Sequence, residues 1–147
     1  MDDTPRWYRP QPNGLLLIGT ATALFGYLTP WFRGSPRRQW WYSGWGYLEK
    51  EGGWTWWVVV FLVIAICASL WAGRSVELAL FAAGATVAGM FLAGAVVAVS
   101  LGTLPERTSI DWVGELPFGM GMPLMAIGFG TAIAGALAAV RRDGESS

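Results

Sequence analysis

The sequence predicts an all-α membrane protein, a bundle of four transmembrane helices with a tryptophan-rich extracytoplasmic loop. Of its 147 residues, 54% are hydrophobic and only 14% are charged, whereas a soluble domain carries about 25% charged residues. Four uncharged stretches approach or exceed the ~20 residues that a helix needs to cross a bilayer. Seven of the ten tryptophans lie between Trp31 and Trp57. Tryptophan favours the lipid–water interface, because its ring is apolar and its N–H is polar.

The first span is predicted at residues 14–30, after a polar tail at residues 1–13. Pro30 should end this helix, because the residue before a proline is displaced from the helical conformation. A cleaved signal peptide is the alternative, since Arg6 and Arg9 precede the apolar run. No small-residue cleavage motif follows the run, so we expect the span to be retained.

The loop after the first span is predicted to contain a short β-hairpin on the membrane surface. Gln39–Tyr42 and Gly46–Leu48 are rich in residues that favour strands, and Ser43-Gly44 between them would form the turn. The loop also concentrates the residue types that dominate binding hot spots. The candidates for contact with a partner or with lipid are therefore Arg37, Arg38, Trp40, Trp41, Tyr42, Trp45 and Tyr47. Alternatively, this loop only supplies an interfacial aromatic belt, or its arginines bind an anionic lipid headgroup.

The second span is predicted at residues 54–72 and the third at residues 77–101. The link between them is so short that the two helices should be antiparallel neighbours. Ser75 is the expected N-cap of the third helix, and Glu77 in its first turn would interact favourably with the positive helix end. The uncharged run that follows is longer than a bilayer is thick, so we expect the helix to end early, near Gly102.

The fourth span is predicted at residues 120–140, closed by Arg141 and Arg142, with residues 141–147 as a tail whose end is disordered. All four spans belong to a single domain, residues 1–147. The high ratio of arginine to lysine and the abundance of alanine and glycine are typical of a GC-rich bacterial genome. The expected location is therefore the bacterial cytoplasmic (inner) membrane.

The orientation of the bundle is not decided by its basic residues. Five arginines lie in the tails and the middle link, and four arginines with Lys50 lie in the other two loops, so the positive-inside count is tied. We place both termini in the cytoplasm, because the middle link is minimal and Arg141-Arg142 directly follows the last span. The arginines at positions 33, 37 and 38 favour the opposite orientation.

Ionisable residues inside the spans would indicate catalysis or ion-coupled transport, and we find none deeper than Glu77. The chain has no histidine, and its one cysteine, Cys67, lies in an apolar run. We therefore expect no enzyme activity, no cofactor and no metal site. Met120, Met122 and Met125 could offer thioethers to Cu(I), but flexible packing is the favoured interpretation. A net charge of zero does not favour nucleic acid as a partner.

Small residues recur every four positions along the predicted spans. Such spacing lets helix backbones approach closely, which favours association in lipid. The helix-packing candidates are Ala85, Gly89, Ala93, Gly128, Ala132 and Gly135. In the simpler interpretation these small-residue seams only join the four helices to each other. In the alternative, a seam on the third or fourth helix binds a helix of a partner.

The first loop carries a short pattern, Thr29-Pro30-Trp31 followed by Ser43-Gly44-Trp45-Gly46-Tyr47. The pattern resembles that of small four-span bacterial membrane proteins, of an actinobacterial type, for which no function is assigned. In these proteins the first helix ends in Pro-Trp and the loop returns through Ser-Gly-Trp. The layout is also similar to that of claudin-like proteins, but this loop lacks the cysteine pair of that family. Neither resemblance implies a catalytic residue.

From these observations we expect a non-enzymatic accessory or scaffolding subunit of a larger membrane protein complex. Its partners would be membrane lipids and other integral membrane proteins or a second copy of itself. The alternative is a binder or carrier of a lipid or small hydrophobic ligand that uses the tryptophan-rich loop.

Overall fold

The structure, a computed structural model, describes residues 12–32, 42–50, 53–102 and 118–145. Within these ranges the regular elements are all helical, and β pairing is limited to two isolated bridges. The helices are α1 (Gly14–Leu28), α2 (Gly44–Lys50), a 3-10 turn (Gly53–Thr55), α3 (Trp56–Ser69), α4 (Val76–Gly102) and α5 (Gly121–Glu145). By length and composition, α4 and the Gly121–Arg142 part of α5 can cross a membrane, whereas α1 and α3 are shorter apolar helices.

Helix α1 begins where the sequence predicts and ends two residues earlier. The Asn13 side chain caps it by accepting a hydrogen bond from the Leu16 N–H at 3.3 Å. At the other end Thr29 is extended, with φ −86° and ψ 162°, as expected of a residue before proline. The helix is therefore bounded by two local signals that are visible in the sequence.

The predicted pairing of the second and third spans is also found, because a tight turn joins α3 to α4. Ser75 is the N-cap of α4, and its Oγ accepts a hydrogen bond from the Leu78 N–H at 3.3 Å. Helix α4 continues for 27 residues to Gly102, the last residue that the structure describes before residue 118, so its predicted end near this position stays a prediction.

The predicted hairpin is wrong in the part that the structure describes. Gly44–Lys50 forms α2, and Ser43 starts this helix by accepting a hydrogen bond from the Gly46 N–H at 3.1 Å. Gly44 packs directly against the Tyr27 ring, so tertiary contact outweighs the strand preference of the aromatic residues. Residues 39–41, the other predicted strand segment, lie outside the described ranges.

The predicted end of the last span also needs correction. Helix α5 extends beyond residue 140 to Glu145, so the first part of the tail is helical and not disordered. Arginine and glutamate are good helix formers, which is the local reason for the extension.

Two antiparallel helix pairs build the bundle. The most extensive contact joins α1 to α5, and the next joins α3 to α4. The core differs between the two ends. At one end the core consists of large side chains, many of them aromatic, among them Tyr27, Trp31, Leu62, Val96 and Phe129. The other end is filled mainly by alanines, with Leu16 beside them. The aromatic end supports the loops that contain the predicted site.

Candidate functional site

The segment after α1 is fixed at the aromatic end by backbone hydrogen bonds on both sides. The Trp31 N–H donates to the Tyr42 carbonyl at 2.9 Å, and the Trp31 carbonyl accepts from the Gly119 N–H at 2.7 Å. Isolated bridges pair Pro30 with Ser43 and Phe32 with Phe118. Three separate parts of the chain are therefore joined at this end of the bundle. We call the side chains gathered there the aromatic cap, made of Tyr27, Trp31, Phe32, Tyr42, Tyr47 and Phe118.

Trp31 is the centre of the aromatic cap and has no exposed surface. Its Nε1–H donates to the Tyr27 carbonyl at 2.9 Å. The Trp31 ring stacks on Tyr47, with 5.7 Å between ring centroids, and is tilted against Tyr27 at 5.5 Å. Phe32 meets the edge of Tyr42 at 6.1 Å. Because these rings pack closely against one another, the aromatic cap is part of the hydrophobic core.

The residues predicted to contact a partner are therefore divided by the structure. Tyr47 is buried and Tyr42 is half-buried, and both pack within the aromatic cap. Trp45 is 55% exposed, and its Nε1–H donates to Glu49 Oε1 at 2.9 Å. Arg37, Arg38, Trp40 and Trp41 lie outside the described residues.

Exposed tryptophans lie around the same end of the bundle. Trp45 on α2 and Trp54, Trp56 and Trp57 at the start of α3 are all exposed. At the opposite end Trp71 is exposed beside Arg74, and Arg141 and Arg142 are exposed on α5. Large apolar side chains are exposed on the helices between the two ends, among them Phe25, Phe81, Phe91 and Ile127. An apolar band between aromatic and basic ends is typical of proteins that cross a bilayer.

The small-residue candidates all lie in contacts within the chain. The six residues, Ala85, Gly89, Ala93, Gly128, Ala132 and Gly135, are buried. A Cβ atom added to Gly89 would lie 2.9 Å from Leu62 Cδ2, and one added to Gly135 would lie 2.6 Å from the Leu16 backbone nitrogen. These seams are filled by the protein's own helices, so a helix of a partner would need a different surface.

Such a surface exists between α4 and α5, which contact each other less extensively than the two principal pairs. It is a groove of about 350 Å³, which we call the α4–α5 groove. Its walls are almost entirely apolar. They consist of Met90, Ala93, Gly94 and Val97 from α4 and Met122, Met125, Ala126, Phe129, Gly130 and Ile133 from α5.

The groove was not predicted as a site, although parts of its lining were visible in the sequence. Ala93, a predicted helix-packing residue, lines the groove together with Gly94 beside it and two of the three clustered methionines, Met122 and Met125. Gly94 and Gly130 have open space beside their Cα atoms. The open space depends on how closely α4 and α5 pack against each other. The spacing of residues along each helix does not predict that distance.

The described residues contain no group of three or more histidine, cysteine or carboxylate side chains placed to hold a metal ion. Cys67 is an exposed free thiol on α3. The described surfaces between α4 and α5 offer apolar contact. Comparisons with protein-family models, with curated proteins and with solved structures find no match for this chain.

Proposed function

We propose that this protein is a four-span integral membrane protein of the bacterial cytoplasmic membrane and a non-enzymatic accessory subunit of a larger membrane complex. In this proposal the α4–α5 groove receives a transmembrane helix of the partner. One observation carries the proposal: the groove is open and apolar, whereas the other small-residue seams are filled within the chain.

The four-span arrangement is supported by how the shorter helices pack. Helix α1 has 15 residues, which is about 22 Å at ~1.5 Å per residue and less than the ~30 Å hydrocarbon core. However, α1 lies antiparallel along α5, with Gly19 at Ala132 and Gly26 at Met125. A short helix held along a longer one is accommodated by local thinning of the bilayer and by its flanking residues.

The composition of the groove suits a helix as its occupant. Gly94 on one wall and Gly130 on the other leave room for a second backbone to approach closely, and close van der Waals contact drives helix association in lipid. Met90 and Met122 also line the groove, and methionine adapts its shape to different partners. The groove therefore combines space with adaptable walls.

A lipid or small hydrophobic ligand is the second candidate occupant. The volume of about 350 Å³ falls within the roughly 300–1,000 Å³ of small-molecule sites. A ligand under the aromatic cap is not supported, because Trp31 and its ring partners fill that space. In the alternative function, the ligand therefore binds in the α4–α5 groove and not at the tryptophan-rich loop.

The test is purification of the tagged protein from its native host at native expression level, in a gentle detergent, with mass spectrometry of everything retained. The comparison is between wild type, Gly94→Leu and Gly84→Leu. Both glycines lie on α4 and face open space, but only Gly94 lines the groove. We expect a membrane protein to be retained in fixed ratio by wild type and Gly84→Leu and lost at least about tenfold in Gly94→Leu.

Other results would change the assignment. If a specific lipid is retained in place of a protein and is lost in Gly94→Leu, the binder or carrier function replaces the accessory subunit. If retention is the same in all three proteins, the groove has no role in binding and the proposal is wrong.

A further inference from the structure

A second cavity lies at the end of the bundle opposite the aromatic cap. It measures about 490 Å³ and opens where three parts of the chain meet: the start of α1, the turn between α3 and α4, and the last turns of α5. We call it the arginine cavity. Its lining consists of residues 12–15 and 72–76 together with Ala139 and Arg142.

The charged side chains of this lining are both cationic. Arg74 comes from the α3–α4 turn and Arg142 from α5, so two separate elements bring positive charge to one space. No carboxylate belongs to the described lining. Glu77 and Glu145 are exposed at the same end of the bundle, one next to Val76 and the other one helical turn after Arg142, but they are not part of the lining. The two arginines make the lining itself positive, which favours an anion.

The other polar residues of the lining make hydrogen bonds that hold the helix ends in place around the cavity. The Asn13 N–H donates to the Ser69 carbonyl at 3.1 Å, and Asn13 Nδ2 donates to the Gly135 carbonyl at 3.0 Å. Asn13 therefore ties α1 to both α3 and α5 at the base of the cavity. Ser75 caps α4 on the other side. Arg142 lines the cavity and is exposed.

The position of the cavity indicates what kind of anion it meets. It lies at the ends of α4 and α5, the two helices long enough to cross a membrane, beside the exposed Trp71. This is the level of the lipid headgroups. Basic pockets between transmembrane helices bind anionic headgroups, and the guanidinium group of arginine matches phosphate oxygens with two parallel hydrogen bonds.

We propose that the arginine cavity binds a phosphate group, that of an anionic phospholipid headgroup or a free phosphate ion, through Arg74 and Arg142. Leu15, Val76 and Ala139 give the same cavity an apolar side, which a phospholipid would use for the first carbons of its acyl chains. The proposal rests on the membrane-spanning arrangement proposed above but not on the accessory-subunit function, because none of these residues lines the α4–α5 groove.

The experiment measures binding to the purified full chain in a non-ionic detergent by native mass spectrometry and by thermal shift. The three probes are dioleoylphosphatidylglycerol, dioleoylphosphatidylcholine and inorganic phosphate. The variants are Arg74→Gln, Arg142→Gln and, as control, Arg141→Gln. The control removes the same charge from the neighbouring exposed position of α5, which does not line the cavity.

We expect phosphatidylglycerol to bind about tenfold more tightly than phosphatidylcholine, and Arg74→Gln and Arg142→Gln each to weaken its binding about tenfold. Arg141→Gln should change binding by less than about twofold. If inorganic phosphate binds alone with the same dependence on the two arginines, the site stands and its ligand is free phosphate. Equal losses in Arg141→Gln and Arg142→Gln would mean general surface attraction, and binding that is unchanged in all variants would mean no site. Either result overturns the proposal.

Discussion

Gly19 of α1 and Gly128 of α5 face each other across the most extensive helix contact among the described elements. A Cβ atom on Gly19 would lie 2.7 Å from the Gly128 carbonyl oxygen, and a Cβ atom on Gly128 would lie 2.7 Å from the Gly19 carbonyl oxygen. Both positions therefore require glycine, because a Cβ atom at either one would clash with the backbone at the other. The first and last helices of the chain are held together by backbone-to-backbone contact.

We expect Gly128→Ala to lower the free energy of unfolding by about 2 kcal/mol or more, because overpacking a tight contact costs about 1–3 kcal/mol and no rotamer can relieve it. The matched control is Gly130→Ala on the same helix, where the added methyl group meets open space. Its stability should be unchanged or slightly higher, since alanine favours helix more than glycine does. Reversible unfolding in mixed micelles, followed by circular dichroism, measures both. Equal effects at the two positions would show that α1 and α5 do not meet at Gly128.

A pair of buried hydroxyl groups links α1 to α4. Thr20 Oγ1 and Thr86 Oγ1 are 3.2 Å apart, and each hydroxyl is also 2.8 Å from the carbonyl oxygen four residues earlier in its own helix. Thr20→Val and Thr86→Val should each cost about 0.5–1 kcal/mol, and the double variant little more, with a coupling energy of about 0.6 kcal/mol.

The control for this double-mutant cycle is Thr131→Val. The half-buried Thr131 donates to the Ile127 carbonyl of its own helix at 2.8 Å. Because this bond does not join two helices, replacing the hydroxyl should lower the free energy of unfolding by less than about 0.5 kcal/mol. Strict additivity of Thr20→Val and Thr86→Val would argue against the hydrogen bond between the two helices.

Trp31→Phe should destabilise the protein by about 1–3 kcal/mol, because it leaves the buried Tyr27 carbonyl without the Nε1–H donor. Trp45→Phe is the matched control, since Trp45 is exposed and its Nε1–H donates to the exposed Glu49 on the same helix. The control should lose less than about 0.5 kcal/mol. Unfolding in mixed micelles again measures the difference, and a larger loss at Trp45 than at Trp31 would contradict the buried position of Trp31.

The four-span proposal predicts which positions are accessible from each side of the membrane. In a Cys67→Ala background, single cysteines at Glu49 and at Arg74 should be labelled by a membrane-impermeant maleimide from opposite sides, because α3 separates them. A cysteine at Arg142 should behave like the one at Arg74, on the cytoplasmic side. Intact cells and inverted vesicles provide the two measurements. Labelling of Glu49 and Arg74 from the same side would mean that α3 does not cross.

The helix boundaries could be predicted where a local signal marks them. Asn13 and Ser75 are N-caps, and Pro30 stops α1, so three ends follow from short-range chemistry. Helix α2 was missed because its aromatic residues favour strands, although Ser43 at its start was an available capping signal. Tertiary contact with Tyr27 decided the conformation there.

The pairing of the helices could not be read from the spacing of small residues. Gly19 and Gly89 lie in similar patterns, yet Gly19 meets a helix backbone and Gly89 meets the side chain of Leu62. Likewise Trp31 and Trp45 are the same residue type in the same loop region, one fully buried and one exposed. Trp31 enters the core because its backbone is held by hydrogen bonds to distant segments. The spacing of residues along the sequence does not predict such long-range hydrogen bonds.

The contact between α1 and α5 also sets an order of events during biogenesis. Helix α1 is synthesised before α5, so the surface around Gly128 that covers its glycine face is made only after α3 and α4. The α3–α4 hairpin, whose contacts are local, can assemble in the meantime. Until α5 is made, Gly19 lacks its native neighbour. A ribosomal stall or a premature stop before α5 would therefore leave a chain with that glycine face uncovered, a difference by which quality control can recognise copies that lack α5.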